Sequence, residues 1–174
     1  WKHKKICKPL FSIKAWFDRY AIDTVYRLKT FAKLKTSSYC TVLPADSRTV
    51  DIFREVEKRN KKFYEILKKQ KINGIFTSPP YVGQIDYHEQ HAYAYDLFGF
   101  KRRDESEIGP LYKGQGVEAR ASYVEGISKV LLNCKNFLTD DFDVFIVAND
   151  KYNLYPEIAE QSGMKIINQF KRPV

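Results

Sequence analysis

Ser78-Pro79-Pro80-Tyr81 joins a hydroxyl, two residues without a backbone N–H and an aromatic ring in four consecutive positions. It follows the short apolar run 74–76, which reads as a buried strand ending at Thr77. Pro79 cannot donate to a sheet ladder, and Pro80 keeps Pro79 out of helical angles. The chain must therefore leave the strand in a rigid, extended kink. That kink presents the Ser78 hydroxyl, carbonyls that no neighbouring amide claims, and the Tyr81 ring. The set suits a planar ring bearing an exocyclic amino group: the acceptors take the amine hydrogens and the aromatic face stacks.

Three other groups of residues invite a chemical reading. Asp46 stands where a strand gives way to a helix, a position that fits a ligand-binding acid, a turn former or a helix cap. Lys101-Arg102-Arg103 closes a helical stretch and suits either its dipole or a phosphate. His88, Glu89 and His91 resemble a metal site, but the zinc-protease spacing His-Glu-x-x-His is one residue short and no third ligand lies nearby. No metal is expected. The more natural roles for this helix, with Tyr87, Tyr93 and Tyr95, are packing and contacts beside a ring pocket.

Composition narrows the partner. Lys and Arg total 30 against 21 Asp and Glu, a net charge of +9, which favours polyanions such as nucleic acid. Hydrophobic residues make up 44% and 174 residues suffice for a core, so the chain reads as globular. Cys7, Cys40 and Cys134 form neither a disulfide framework nor a zinc pattern, which fits a reducing, cytoplasmic setting. No apolar run is long enough for a membrane span.

Thr77-Ser78-Pro79-Pro80-Tyr81 resembles the catalytic motif of the amino-group DNA methyltransferases, in the serine form most often seen in cytosine-N4 enzymes. Ala45-Asp46-Ser47-Arg48 upstream, and Ile85-Asp86-Tyr87 with Leu97-Phe98-Gly99-Phe100 downstream, extend the resemblance over roughly 40–174. It implies transfer of a methyl group from S-adenosylmethionine to the exocyclic amine of a base turned out of DNA, cytosine N4 ahead of adenine N6, as in restriction-modification. It further implies that Ser78, Pro79, Pro80 and Tyr81 serve the target base and that Asp46 and Thr77 serve the cofactor. Lys101, Arg102 and Arg103 would then meet the nucleic-acid backbone. Two alternatives stay open: the same chemistry on RNA, and a non-catalytic nucleic-acid-binding fragment of such an enzyme. One departure matters. The glycine-rich turn that holds the methionine part of the cofactor in this family has no counterpart, since Gly114-Gln115-Gly116 lacks a preceding strand and a third glycine. With a first residue of Trp1, the chain reads as a partial one whose missing turn comes from an adjoining segment or a complementing chain.

The elements that position these residues follow from periodicity. Helices are expected over 9–35, 51–69, 86–98, 119–137 and 154–162, and strands over 39–43, 74–77, 143–148 and 164–170. Glu55-Arg59 and Glu57-Lys61 support the second helix at i,i+4. Residues 104–120 read as a loop that lies against DNA, forms a lid or merely connects. Alternating strands and helices predict an α/β, Rossmann-like methyltransferase sheet with flanking helices, incomplete in this chain, plus an N-terminal helical region. The expected division is 1–38, a basic tail (Lys2, His3, Lys4, Lys5, Lys8) and helix, and 39–174, the catalytic-motif region. Functional residues should gather beyond the carboxyl ends of the strands, where Asp46, 77–81 and Asn149-Asp150 fall.

Overall fold

The computed structural model describes residues 12–171. The basic tail expected over 1–8, with Cys7, and Arg172 at the other end lie outside the described residues. The chain divides into two units, Trp1–Cys40 and Thr41–Val174.

In the first unit, α1 spans Ile13–Leu34. Ser12 starts it: its hydroxyl accepts from the Ala15 amide, one of the N–H groups that the first turn leaves without a helical partner. Lys14–Asp18 and Asp23–Arg27 add i,i+4 ion pairs on exposed positions, each worth a few tenths of a kcal/mol (about 0.2–0.5). The guanidinium of Arg19 lies 5.3 Å from the centre of the Trp16 ring.

The second unit carries α2 (Ile52–Arg59), α3 (Lys61–Gln70), β1 (Ile72–Thr77), α4 (Tyr87–Gln90), α5 (Ala92–Phe98), α6 (Val117–Lys135), β2 (Leu138–Ile146) and α7 (Tyr155–Gln161). The two strands pair in parallel, with Ile75 opposite Val144 and Thr77 opposite Ile146. Parallel strands need a long crossover, and α4, α5 and α6 supply it. The inner sheet face, with Ile75, Val144 and Ile146, packs on a core of Val82, Tyr123, Val124, Ile127, Leu131 and Ile158. Four of those six come from α6, whose stripe recurs at helical spacing. Full burial of each aliphatic side chain stabilises the unit by about 1.5–3 kcal/mol. The outer sheet face is bare. Phe76 and Phe145, paired across the strands, stack there with parallel rings 5.3 Å apart and are 79% and 50% exposed.

Several expectations need correction. Residues 39–43 form no strand: Val42 is exposed, and this backbone has no ladder partner. The helix expected over 51–69 is two helices. Asn60 breaks it by leaving helical angles (φ −150°, ψ 87°) while its side chain accepts from the Phe63 amide at 3.0 Å. Asparagine offers the backbone this competing bond, which is why it favours caps over helix interiors. The Glu57-Lys61 pairing therefore straddles a break, and Glu55 pairs with Lys58 instead of Arg59. The helix expected over 86–98 is likewise interrupted, at His91 (φ −106°, ψ 17°). The 104–120 loop contains two single turns of 3-10 helix, Asp104–Ser106 and Leu111–Lys113.

The second strand begins at Leu138, earlier than its apolar run suggests, and shifts register between Ile72 and Gly74 to absorb the extra residues. Residues 164–170 are not a strand either, for no third strand among the described residues offers them a ladder. The result is a mixed helix–strand unit on a two-stranded parallel sheet. The helix over 154–162 does form, as α7, and Gly163 stops it at φ 61°.

Candidate active site

The parallel pairing brings the ends of β1 and β2 side by side. The Val147 amide donates to the Thr77 carbonyl at 2.9 Å, the last bond of the ladder. Beyond it, two prolines without N–H groups turn the chain away. Pro79 is buried, while Ser78 remains exposed at the turn. A cleft of about 690 Å³ opens at this end of the sheet, a size that suits a cofactor or a small ligand. Its floor is apolar, formed by Ile127, Val130 and Leu131 of α6 and Ile146 of β2.

Thr77, Ser78, Pro79 and Pro80 line one wall, and Asp46 with Ser47 another. Lys101 and Arg103 line the cleft as well, and both are exposed. Three residue groups far apart in sequence thus share one depression. Asp46 sits in a turn whose carbonyl accepts from the Thr49 and Val50 amides at 3.1 and 2.9 Å. Its carboxylate accepts from the Arg48 amide at 2.9 Å, from Nε at 2.9 Å and from Nη2 at 2.6 Å. Those bonds from the Arg48 side chain, first among the causes, hold the Asp46 carboxyl below its ordinary value. Asp46 is therefore both a turn former and a cleft-lining acid.

Other expected residues stand apart from the cleft. Tyr81 is half-buried and is not among the lining residues. It lies within electrostatic reach of Tyr123 and Tyr155, whose hydroxyls meet at 3.0 Å. Arg102 is also outside the lining. Its guanidinium bridges Glu89 at 3.1 Å and Asp104, an arrangement that raises its already high basicity. Asp150 caps a helix: its carboxylate accepts from the Leu154 and Tyr155 amides at 2.7 and 3.3 Å, at the start of α7. Being at a strand end does not bring Asn149-Asp150 into the cleft.

The helical stretch expected to make contacts beside a ring pocket does reach the cleft. His88, Tyr95 and Phe100 line the cleft, with the His88 and Tyr95 ring centres 5.1 Å apart. The density of aromatic residues over 87–100 was the available signal. Arg48 supports the site, since its Nη2 also donates to the Ser106 carbonyl at 3.3 Å and ties the Asp46 turn to the crossover. Among the described residues, no group of three or more His, Cys, Asp or Glu side chains is arranged to hold a metal. No helix among them is long and apolar enough to cross a membrane.

The acid, the hydroxyl-bearing kink and the apolar floor thus share one cleft. Over all 174 residues the chain is 53% identical to a curated methyltransferase, and the match takes in every residue of the cleft. That relative is the Type II methyltransferase M.MjaII of Methanocaldococcus jannaschii, and the chain spans about a third of its length. No protein-family model matches the chain, and no solved structure matches it.

Proposed function

We propose that this chain carries the target-base site of an S-adenosylmethionine-dependent DNA methyltransferase acting on an exocyclic amine, cytosine N4 ahead of adenine N6. The observation that carries the reading is the cleft itself. It unites Asp46, Thr77 and the Ser78-Pro79-Pro80 kink at the carboxyl end of paired parallel strands, where open α/β sheets bind ligands. The 53% identity to a Type II methyltransferase supports it.

In this reading the target base leaves the duplex, because its amine is otherwise paired and stacked. Ser78 Oγ and the Pro79 carbonyl accept hydrogens of that amine and turn its lone pair toward the methyl donor. Tyr81 stacks on the ring. Orientation of the amine contributes most of the acceleration, and no cysteine nucleophile is required. The cofactor, when bound, supplies an electrophilic methyl group on a sulfonium.

The residues present fit part of that cofactor. A carboxylate at Asp46 and a hydroxyl at Thr77 border a cleft of adequate size, and an acid in that position suits ribose hydroxyls or an adenine amine. The amino-acid end needs amides at a strand-to-helix turn, which we assign to an adjoining segment or complementing chain. Lys101 and Arg103 meet backbone phosphates. Arg102 joins them only by giving up its carboxylate partners. The setting is cytoplasmic, and restriction-modification is the natural context.

The test is methyl transfer by the whole protein from labelled S-adenosylmethionine to duplex DNA and to structured RNA. Labelled N4-methylcytosine or N6-methyladenine in DNA is expected. Label in RNA alone would reassign the substrate. Salt-sensitive DNA binding without transfer would make the chain a binding module.

A further inference from the structure

Tyr93, Leu97, Phe98 and Phe100 all stand in solvent, and α5 buries none of its residues. Phe98 ends α5 and is 64% exposed. Gly99 then turns the chain in the left-handed region (φ 65°), and the Phe100 amide donates to the Tyr95 carbonyl at 3.1 Å. This corner holds the Phe98 and Phe100 rings with their centres 5.7 Å apart. Its base is anchored on both sides: Tyr95 packs on His88, and Arg102 bridges Glu89 and Asp104. Phe100 lines the cleft, whereas Phe98 lies beyond the lining. The corner is thus a fixed apolar projection at the cleft's edge.

Its surroundings separate it from the open sheet face. There, Asp143 shares a side of β2 with Phe145, and Asp140 and Asp141 are exposed nearby in the strand. A polyanion is repelled from that face. The α5 corner instead runs directly into Lys101 and Arg103, both exposed, and Asp96 is the one acid among residues 92–103. Exposed rings beside cations, at the edge of a cleft, suit opened duplex DNA. Phosphates meet the cations, and unstacked base faces meet the rings.

We infer that Phe98 enters the DNA base stack at the place the extruded target base vacates, with Phe100 between it and the cleft and Lys101 and Arg103 on the flanking phosphates. Turning a base out leaves its neighbours unstacked, and an apolar side chain placed between them restores part of the lost contact. This inference rests on the methyltransferase reading above and assigns the DNA surface next to that site.

The test compares the whole protein with Phe98→Ala, Phe98→Leu and Lys101→Ala on duplex DNA carrying the site it methylates. Phe98→Ala should weaken DNA binding and methyl transfer about tenfold, with Tm and S-adenosylmethionine affinity unchanged. Phe98→Leu, which keeps an apolar wedge, should recover most of the loss. The salt dependence of binding should keep its wild-type slope in Phe98→Ala, because an apolar contact releases no counterions. Lys101→Ala should lower that slope by about 1. A photoreactive benzophenone in place of the Phe98 ring should cross-link to the nucleotides beside the target base. Wild-type DNA binding by Phe98→Ala, a fall in its Tm, or cross-links to protein instead of DNA would overturn the inference and leave the methyltransferase reading standing. If the wild-type protein methylates no nucleic acid, both readings fail together.

Discussion

Arg48 grips Asp46 side-on, with Nε and Nη2 each facing a different carboxylate oxygen, and the same guanidinium reaches on to the Ser106 carbonyl. Two residues apart in sequence, this pair fixes the turn that forms one wall of the cleft and anchors it to the crossover. It also means that any hydrogen-bond donor meeting Asp46 from the cleft meets a carboxylate whose orientation is already set.

The acid dependence of that pair can be measured. The folded state favours the charged form of Asp46, so its contribution is present above the ordinary value of 3.8 and is lost as pH falls through the lower folded value. The pair is partly exposed, so Asp46→Asn should cost about 1 kcal/mol or less at pH 7. Melting curves of wild type and variant should converge as the pH is taken below 3.8. A gap that persists there would place the effect outside the carboxylate's charge.

Ser78→Ala should lower turnover about tenfold to a hundredfold while leaving cofactor affinity near wild type, because in the proposed site the lost acceptor would act on the target amine. Tyr81→Ala should weaken both catalysis and base extrusion, given about 1–3 kcal/mol for stacking one base on an aromatic ring. A fluorescent base analogue at the target position reports extrusion separately. Since Tyr81 lies off the cleft lining and Tyr95 lies on it, Tyr95→Ala is the informative comparison. A larger extrusion defect in Tyr95→Ala would move the stacking role there.

The strand–proline–proline kink, the α6 stripe and α7 were legible in the sequence because each depends on local chemistry: proline's missing N–H, helical periodicity, a glycine stop. What escaped was set by tertiary partners. Residues 39–43 and 164–170 have strand-like composition but no ladder to join. Asn60 looked like an interior helical residue until its side chain took the Phe63 amide. Of the residues expected at a site, Asp46, Thr77, Ser78, Pro79, Pro80, Lys101 and Arg103 line the cleft. For His88 the sequence offered only a metal spacing that fails and a place beside a ring pocket; that it lines the cleft with Tyr95 depends on how the crossover folds back.

Gly83 tolerates no side chain. It sits at φ 61°, and a β-carbon there would lie 2.3 Å from the Gly114 carbonyl oxygen. Its amide donates to the Gly109 carbonyl at 2.9 Å, and its own carbonyl accepts from Gln115 at 3.0 Å. Gly83→Ala should therefore cost about 3 kcal/mol or more, seen as a fall in Tm of roughly 5 °C or more. Retained Tm would mean that the 114–115 backbone gives way freely.

The Tyr123–Tyr155 pair predicts an alkaline limit. Burial, the leading cause, raises both phenols above the ordinary value of 10.0. A raised folded value means that the contribution is complete below the unfolded value and declines as pH climbs past it. Stability should hold through neutral pH and drop above pH 10. Tyr155→Phe should cost about 1–2 kcal/mol at pH 7 by leaving the Tyr123 hydroxyl unpaired, and should flatten part of the alkaline fall. Denaturant titrations at stepped pH measure both.

Phe76 and Phe145 leave an apolar sheet face open, and such faces drive association when nothing covers them. On the function proposed above, the 174 residues alone should bind S-adenosylmethionine weakly by calorimetry and self-associate in ultracentrifugation, and a chain that also carries a glycine-rich turn should bind it and remain dispersed. Tight binding and turnover by the 174 residues alone would show that the full cofactor cradle lies within them.

The parallel pairing of β1 with β2 also sets an order of events during synthesis. Thr77 emerges from the ribosome well before its partner Ile146, and the whole 78–137 crossover is made in between. One wall of the cleft must therefore wait, with Ser78 and both prolines already translated, until the second strand arrives to dock beside it. Closing so long a loop is slow compared with forming the helices within it. A nascent chain cut short before Ile146 would hold every residue of the kink and still lack the part of the floor that Ile146 provides. The cleft is therefore completed only when β2 docks beside β1.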